Sequence, residues 1–169
     1  MIEKRKEKSS IILVCRPPSV IPIPATTTLS SPAQYTRSQD FFIVSIIEIN
    51  CNQSILTTTQ WTVKNCTTVC SNQISLGSTV TTTLSELYIP ARTLSYGLYE
   101  LNLVVTMTLY PWLSTSVSVY ALITPSGITA NLVQFGTSMV TSGSSQNLLL
   151  DPGTYSVDPD QNVFNSTVS

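Results

Sequence analysis

The 169-residue sequence has no histidine, and only 10% of its residues are charged. The absence of histidine excludes Ser-His-Asp and Cys-His nucleophilic sites, and zinc sites that contain histidine. A pair of carboxylates is the remaining hydrolytic option, but the pattern gives Glu86 and Glu100 no partner at the separation that glycosidases need. We therefore expect no enzymatic activity and no cofactor.

Basic residues are scarce after the first sixteen positions. Five of the eight lie at Lys4, Arg5, Lys6, Lys8 and Arg16, and from residue 17 onward three basic side chains stand against seven acidic ones. Binding to phosphates requires clustered Lys and Arg. We expect the folded part not to bind nucleic acid.

Long apolar stretches that could direct export or span a membrane are also missing. After the basic start, Ile11 to Cys15 supplies five apolar residues and ends at Arg16-Pro17-Pro18. A signal-peptide core needs about 7–15 apolar residues, and a membrane span needs about 18. The chain as written carries no convincing export or anchoring signal.

Apolar and hydroxyl-bearing residues are plentiful: 42% of the chain is hydrophobic, and Ser and Thr fill 48 positions. This mixture favours strands over exposed helices. From Tyr99 to Leu109, apolar residues alternate with polar ones, and only Val104 breaks the pattern. Because alternate residues of a strand share one face, this segment predicts a half-buried strand in an all-β protein.

Composition divides the chain into three parts. Residues 1–33 are predicted to be a disordered or extended N-terminal segment with a Pro/Thr/Ser-rich linker. Residues 34–125 hold about seven strand candidates, the number that an antiparallel sandwich of the immunoglobulin or fibronectin type III kind requires. Residues 126–169 are too few to close a second sandwich, so we interpret them as the incomplete start of one, and the chain as a fragment of a larger membrane protein.

The predicted sandwich has a core and a corner. The placement of Gly97 and Tyr99 resembles the corner that opens a late strand in such sandwiches, where a tyrosine hydroxyl binds upstream backbone. The predicted core consists of Phe42, Ile46, Trp61, Leu101, Leu103 and Val119.

The cysteines give an ambiguous signal. Trp61 follows Cys51 by ten residues, as in immunoglobulin domains, but Leu101 stands where the partner cysteine would be. Cys51 must therefore pair elsewhere or stay reduced, and we expect it to pair with Cys66 or Cys70, leaving one thiol free. Closure of either loop stabilises by about 3 kcal/mol, so loop length does not choose between them.

Three asparagines fit the N-glycosylation pattern: Asn52, Asn65 and Asn165. The first two fall in predicted loops, where a glycan can be accommodated.

Three aspartates make the stretch from Leu148 to Asp160 the most acidic in the chain: Asp151, Asp158 and Asp160. Clustered carboxylates bind calcium at junctions between sandwiches. Asp-Pro-Gly and Asp-Pro-Asp are also turn formers whose side chains bind their own backbone, and this is the interpretation we favour.

In this order, the motifs resemble the receptor-for-egg-jelly (REJ) module of the polycystin family. The matching segments are FFIVSIIEINC with Trp61-Thr62-Val63, then LYIPARTLSYGLYELNLVVTM, SVSVYALITPSGITANLVQFGTSMVTSG and LLLDPGTYSVDPD. The resemblance implies tandem fibronectin- or immunoglobulin-like sandwiches in the extracellular part of a very large membrane protein. It carries over no catalytic residue, and this chain lacks the family's autoproteolytic region and membrane spans.

The expected role is that of a non-catalytic extracellular module at the cell surface that spaces or presents binding surfaces. Its partners would be neighbouring modules of the parent and protein or carbohydrate ligands, and it would meet the membrane only through that parent. One rival is a free-standing secreted adhesin or carbohydrate-binding module that uses an aromatic patch of Tyr88, Tyr96, Tyr110 and Trp112. A second rival is an intracellular β-domain, which would have free cysteines and unglycosylated Asn52 and Asn65.

Overall fold

Two antiparallel-rich sheets form the protein. The computed structural model describes residues 15–51, 56–131, 143–144, 147 and 155–161, and within these residues it has eight strands. They are β1 (Ser19–Ile23), β2 (Ala33–Thr36), β3 (Phe41–Glu48), β4 (Thr57–Cys66), β5 (Cys70–Ile74), β6 (Glu86–Ile89), β7 (Gly97–Met107) and β8 (Tyr110–Thr124). One sheet has the order β1-β3-β6 and the other β2-β8-β7-β4-β5, which confirms an all-β sandwich. No helix in the described part of the chain is long and apolar enough to cross a membrane.

Strand β7 lies at the centre of the larger sheet, between β8 and β4. Its inward residues Tyr99, Leu101, Leu103, Val105 and Met107 are each at most 2% exposed, as the alternation predicts. The polar residues of β7 lie on the opposite face of the sheet. There they form two rows with their cross-strand neighbours, Lys64↔Glu100↔Tyr120 and Thr62↔Asn102↔Ser118. The period-two pattern therefore sets both the buried and the hydrated face of this sheet.

Trp61 connects the two layers. Its side chain is 2% exposed, and its indole N–H donates to the Leu84 carbonyl at 2.9 Å. Its backbone N–H donates to the Thr82 carbonyl at 2.7 Å. Because Leu84 leads into β6 of the opposite sheet, the indole both fills the core and fixes the crossing segment, and its only polar atom keeps a partner.

The predicted face of β3 was wrong. Phe41 and Ile43 are buried, at 7% and 0% exposure, whereas Phe42 and Ile46 are 57% and 49% exposed. A strand shifted by one residue buries its other face. The run FFIVSII is apolar at nearly every position, so its sequence contains no alternation from which the inward face can be predicted.

Part of the predicted linker belongs to the sandwich. Residues Ser19–Ile23 form β1, which pairs antiparallel with β3 over the register Ser19↔Glu48 to Ile23↔Val44. Strand β2 begins at Ala33 and runs parallel to β8. Proline at position 22 is tolerated because β1 is an edge strand.

The predicted disulfide was also wrong. Cys51 pairs with Cys15, and Cys66 pairs with Cys70, so that no cysteine is free. Antiparallel pairing of β1 with β3 brings Cys15, before β1, beside Cys51, after β3. The other pair closes the tight turn between β4 and β5, where Cys66 and Cys70 lie opposite each other.

The corner at the start of β7 is as predicted. The Tyr99 hydroxyl donates to the Ser95 carbonyl at 3.0 Å, and burial raises the pKa of this phenol, which keeps the donor protonated. Gly97 has a φ of 145°, a conformation that only glycine adopts readily. The Tyr99 hydrogen bond therefore holds the short loop that contains Ser95 against the start of β7.

The two disulfides should differ in their effect on stability because they close loops of different length. Chain entropy assigns about 4 kcal/mol to the 36-residue separation of Cys15 and Cys51, and about 2 kcal/mol to the four-residue separation of Cys66 and Cys70. Urea unfolding of Cys15→Ala/Cys51→Ala and of Cys66→Ala/Cys70→Ala measures both losses. Equal losses, or a larger loss for the short loop, would contradict this ranking.

The substitution Tyr99→Phe removes the corner hydrogen bond and leaves the ring in place. We expect a loss of about 1 kcal/mol in the free energy of unfolding, the usual net value of one such bond. Tyr120→Phe, on the hydrated face of the same sheet, is the control and should change stability little. A Tyr99→Phe protein as stable as the parent would show that the corner contributes nothing.

Candidate functional site

Four side chains meet at one end of the sandwich, and we call them the junction cluster: Arg37, Tyr96, Ser126 and Asp160. The parallel pairing of β2 with β8 places Thr36 beside Thr124, so the chain leaves both strands at the same point. Beyond them, the Arg37 N–H donates to the Thr124 carbonyl at 3.0 Å. The Ser38 N–H donates to the Ser126 hydroxyl at 3.1 Å.

The carboxylate of Asp160 is the centre of the cluster. One oxygen accepts from the Ser126 N–H at 2.8 Å and from the Tyr96 hydroxyl at 3.1 Å, and the other accepts from the Ser126 hydroxyl at 2.6 Å. The residue is only 3% exposed. A charged group so far removed from solvent persists only with such partners.

Arg37 binds backbone rather than the carboxylate. Its guanidinium donates to the Leu94 carbonyl at 3.2 Å and to the Asp160 carbonyl at 2.8 Å. The guanidinium carbon lies 5.3 Å from the centre of the Tyr96 ring, within the range of a cation–π contact. The Arg37 side chain therefore joins the corner before β7 to Asp160, which lies 123 positions after Arg37 in the sequence.

Burial of the Asp160 carboxyl would raise its pKa. The hydrogen bonds from Ser126 and from Tyr96, together with the charge of Arg37, outweigh that effect and hold the pKa below its usual value. Asp160 is therefore a stable anion at neutral pH, and both of its carboxylate oxygens accept hydrogen bonds.

A second set of contacts fixes the same segment. The Arg92 side chain donates twice to the Pro159 carbonyl, at 2.9 and 2.7 Å. Thr129 and Val157 exchange two backbone hydrogen bonds of 2.9 Å, and the Asn131 amide donates to the Tyr155 carbonyl at 2.9 Å. Residues 155–161 are thus attached to the sandwich and to residues 126–131 through both backbone and side chains.

The three calcium candidates do not form one site in the described residues. Asp158 accepts from the Asp160 N–H at 2.9 Å, the local contact of a turn. Asp160 is used in the junction cluster, and Asp151 lies outside the described residues. In the part of the chain that the structure describes, no three His, Cys, Asp or Glu side chains come together as a metal site would require.

One of the three predicted glycosylation sites is placed differently from expectation. Asn65 lies in strand β4 and not in a loop, directly across from Tyr99 of β7. Asn52 and Asn165 lie outside the described residues.

The comparison with protein families agrees with the motif order. The REJ domain model matches residues 45–167, nearly three quarters of the chain. The chain belongs to the REJ domain family. The match crosses Pro125–Gly127 without a break and includes three of the four residues of the junction cluster. No curated protein and no solved structure matches the chain.

The four aromatic residues of the predicted patch do not meet in the REJ domain. Tyr96 precedes β7 and Tyr110 follows it, and the 11 residues of that strand separate them by roughly 35 Å. Tyr88 lies on the other sheet, where its hydroxyl donates to Asp40. Tyr110 and Trp112 do contact each other, edge to face at 5.4 Å.

Sequence reasoning missed an apolar surface on the REJ domain. The outer face of the three-stranded sheet carries Ile21, Ile23, Phe42, Ile46 and Tyr88, which are between 47% and 57% exposed. Two pairs in this set, Ile21↔Ile46 and Phe42↔Tyr88, lie directly opposite each other across strands. Contiguous exposed apolar residues of this kind are typical of contact surfaces. The nearly continuous apolar run of β3 was the signal in the sequence for this face.

The junction cluster should make stability depend on pH in a defined direction. Because the pKa of Asp160 is lower in the folded chain than in the unfolded chain, its contribution is present above the ordinary aspartate pKa and is lost as pH falls through the folded value. Urea unfolding should therefore show Asp160→Asn to be less stable than the unsubstituted chain at pH 7, with the difference shrinking as the pH falls below the ordinary aspartate pKa.

Asp40→Asn is the matched control, because Asp40 is an exposed carboxylate that accepts one tyrosine hydroxyl. If the difference in stability between Asp160→Asn and the unsubstituted chain were the same at all pH values, it would contradict the role assigned to the anion.

Proposed function

We propose that this REJ domain is a non-catalytic module in the extracellular region of a polycystin-like membrane receptor, where it spaces neighbouring modules and presents surfaces to them. The attachment of residues 155–161 by the junction cluster is the observation that carries this proposal. A segment that is held to a sandwich through a buried carboxylate with three hydrogen bonds is fixed in one direction, as a rigid spacer requires. Linkers without such contacts are flexible coils.

The cysteines support the extracellular assignment. All four are paired, and disulfides persist in oxidising compartments but are rare in the cytosol. The second rival from the sequence, an intracellular β-domain, would keep these thiols reduced.

The non-catalytic assignment is supported by how the carboxylates are used. Both oxygens of Asp160 accept hydrogen bonds from within the fold, and Glu100 accepts from the Ser118 hydroxyl at 2.8 Å and lies 3.5 Å from the Lys64 ammonium. A general base must be directed at the proton of a substrate. Both carboxylates are instead engaged in contacts with their own fold.

The outer face of the three-stranded sheet fits a tethered neighbour better than a free partner. The face from Phe42 to Ile46 across three strands covers roughly 200 Å², whereas a stable interface needs about 800 Å² from each partner. A neighbouring module of the same polypeptide is present at a high effective concentration and can use a smaller contact. Exposed Asp40, Glu48 and Glu86 surround the face, so its partner should carry basic residues at the rim.

Covalent footprinting tests this arrangement. Hydroxyl radicals should label Phe42 and Tyr88 strongly in the isolated chain and weakly in the intact parent polypeptide, because a neighbour covers them there. Trp112, which is 74% exposed at the opposite end of the sandwich, is the internal reference. Equal labelling of Phe42 in the two proteins would contradict coverage by a neighbour.

One observation favours the adhesin as a second candidate. Trp112 is highly exposed beside Tyr110, and an exposed tryptophan face can stack on a sugar ring. A glycan array screened with the full chain and with Trp112→Ser separates the candidates: a spacer gives no signal that depends on Trp112, and an adhesin gives one that the substitution abolishes.

A further inference from the structure

The loop between β1 and β2 contains a dense run of hydroxyl side chains between two prolines. It reads Pro24-Ala25-Thr26-Thr27-Thr28-Leu29-Ser30-Ser31-Pro32. Its composition is that of a linker, but in the structure the run lies between two strands of the sandwich. Thr26, Thr28, Ser30 and Ser31 are exposed.

The hydroxyls of this loop fall into two groups. The Thr27 hydroxyl accepts from the Tyr120 N–H at 2.9 Å, which satisfies a donor on the edge of β8 and fixes the loop. The Thr28 hydroxyl accepts from the Ser31 N–H at 3.0 Å and shares a 3.2 Å hydrogen bond with the Ser30 hydroxyl. The Thr26 hydroxyl makes no hydrogen bond in the described part of the chain, so the fold does not use it.

The backbone at Thr26 makes the presence of threonine harder to explain by folding alone. Its φ is 61°, in the left-handed region where a β-branched residue is an outlier. Such a conformation costs of order 1–3 kcal/mol, and Gly or Asn would adopt it more easily. Among the described residues, no hydrogen bond of the Thr26 side chain offsets that cost, which indicates a use for the hydroxyl outside the fold.

We propose that this loop is an acceptor for O-linked glycans, with Thr26 and the pair Ser30-Ser31 as the sites. Ser/Thr-rich segments with proline are the composition of O-glycosylated stalks, and here the segment is exposed in the folded protein, where a transferase can reach it. The inference rests on the extracellular location in the proposed function. A glycan at this position would project from the β8 edge and hinder the approach of other strands to it.

The modification is a group transfer that uses a nucleotide-activated hexosamine. The threonine or serine oxygen forms a bond to the anomeric carbon of the sugar, and the bond from that carbon to the diphosphate breaks. The nucleoside diphosphate leaves with the bonding electron pair, and the hydroxyl proton passes to a base on the transferase. No oxidant or reductant takes part.

The chain contains its own control for composition. Thr57-Thr58-Thr59 is another run of three threonines, but it begins strand β4 and is paired with β7. If accessibility in a proline-flanked loop selects the site, the run at 57–59 stays unmodified. If threonine density alone selects it, both runs are modified, and so is a third run at Thr81–Thr83.

The test is site-resolved mass spectrometry of the full chain secreted from cultured animal cells behind a cleavable leader. We expect hexosamine-containing adducts within residues 26–31 and none at Thr57–Thr59, and we expect Thr26→Ala/Ser30→Ala/Ser31→Ala to abolish the added mass. An unmodified loop, a phosphate in place of the sugar, or equal modification of both runs would overturn the inference.

A further variant separates this inference from the proposed function. Thr26→Asn introduces an Asn-Thr-Thr acceptor for N-glycans at the same position. An N-glycan there, without O-glycans on the parent loop, shows that the loop is accessible to transferases and overturns the O-glycan inference alone. The proposed function fails on a different result: free thiols at Cys15 and Cys51 in protein taken from its native cells.

Discussion

The packing of Trp61 against the inward face of β7 is the contact on which the other features depend. Leu103 lies directly across from Trp61 in the sheet, and the indole reaches the segment that leads into the opposite sheet. Each buried side chain of this size contributes about 1.5–3 kcal/mol by leaving water. In the same sheet β7 pairs with β8 and β8 pairs with β2, and the adjoining ends of these strands place the junction cluster.

The amount that the sequence predicts depends on whether a segment carries an alternating pattern. In β7 the pattern is nearly complete, so its inward residues and the Tyr99 corner follow from the sequence. In β3 it is absent, and the predicted inward residues Phe42 and Ile46 lie outside. The same uniform apolarity that hid the face of β3 creates the exposed apolar surface, because a strand that is apolar on both sides can bury only one of them.

Contacts between distant parts of the chain could not be predicted from local sequence patterns. Cys15 meets Cys51 only because β1 pairs with β3, and the sequence around β1 resembles a proline-rich linker. Arg37 meets Asp160 only because β2 and β8 end side by side. The motif order still indicated the REJ family, because it records the succession of strands and corners without requiring knowledge of their partners.

The most direct measurement of the central packing is the fluorescence of Trp61 in a Trp112→Phe variant, which leaves it as the only tryptophan in the chain. Trp61 is 2% exposed and hydrogen-bonded through its indole. The account predicts blue-shifted emission that acrylamide and iodide barely quench, with a red shift and full quenching in the same urea transition that unfolds the sheets. Emission and quenching like those of free tryptophan in the native chain would contradict it.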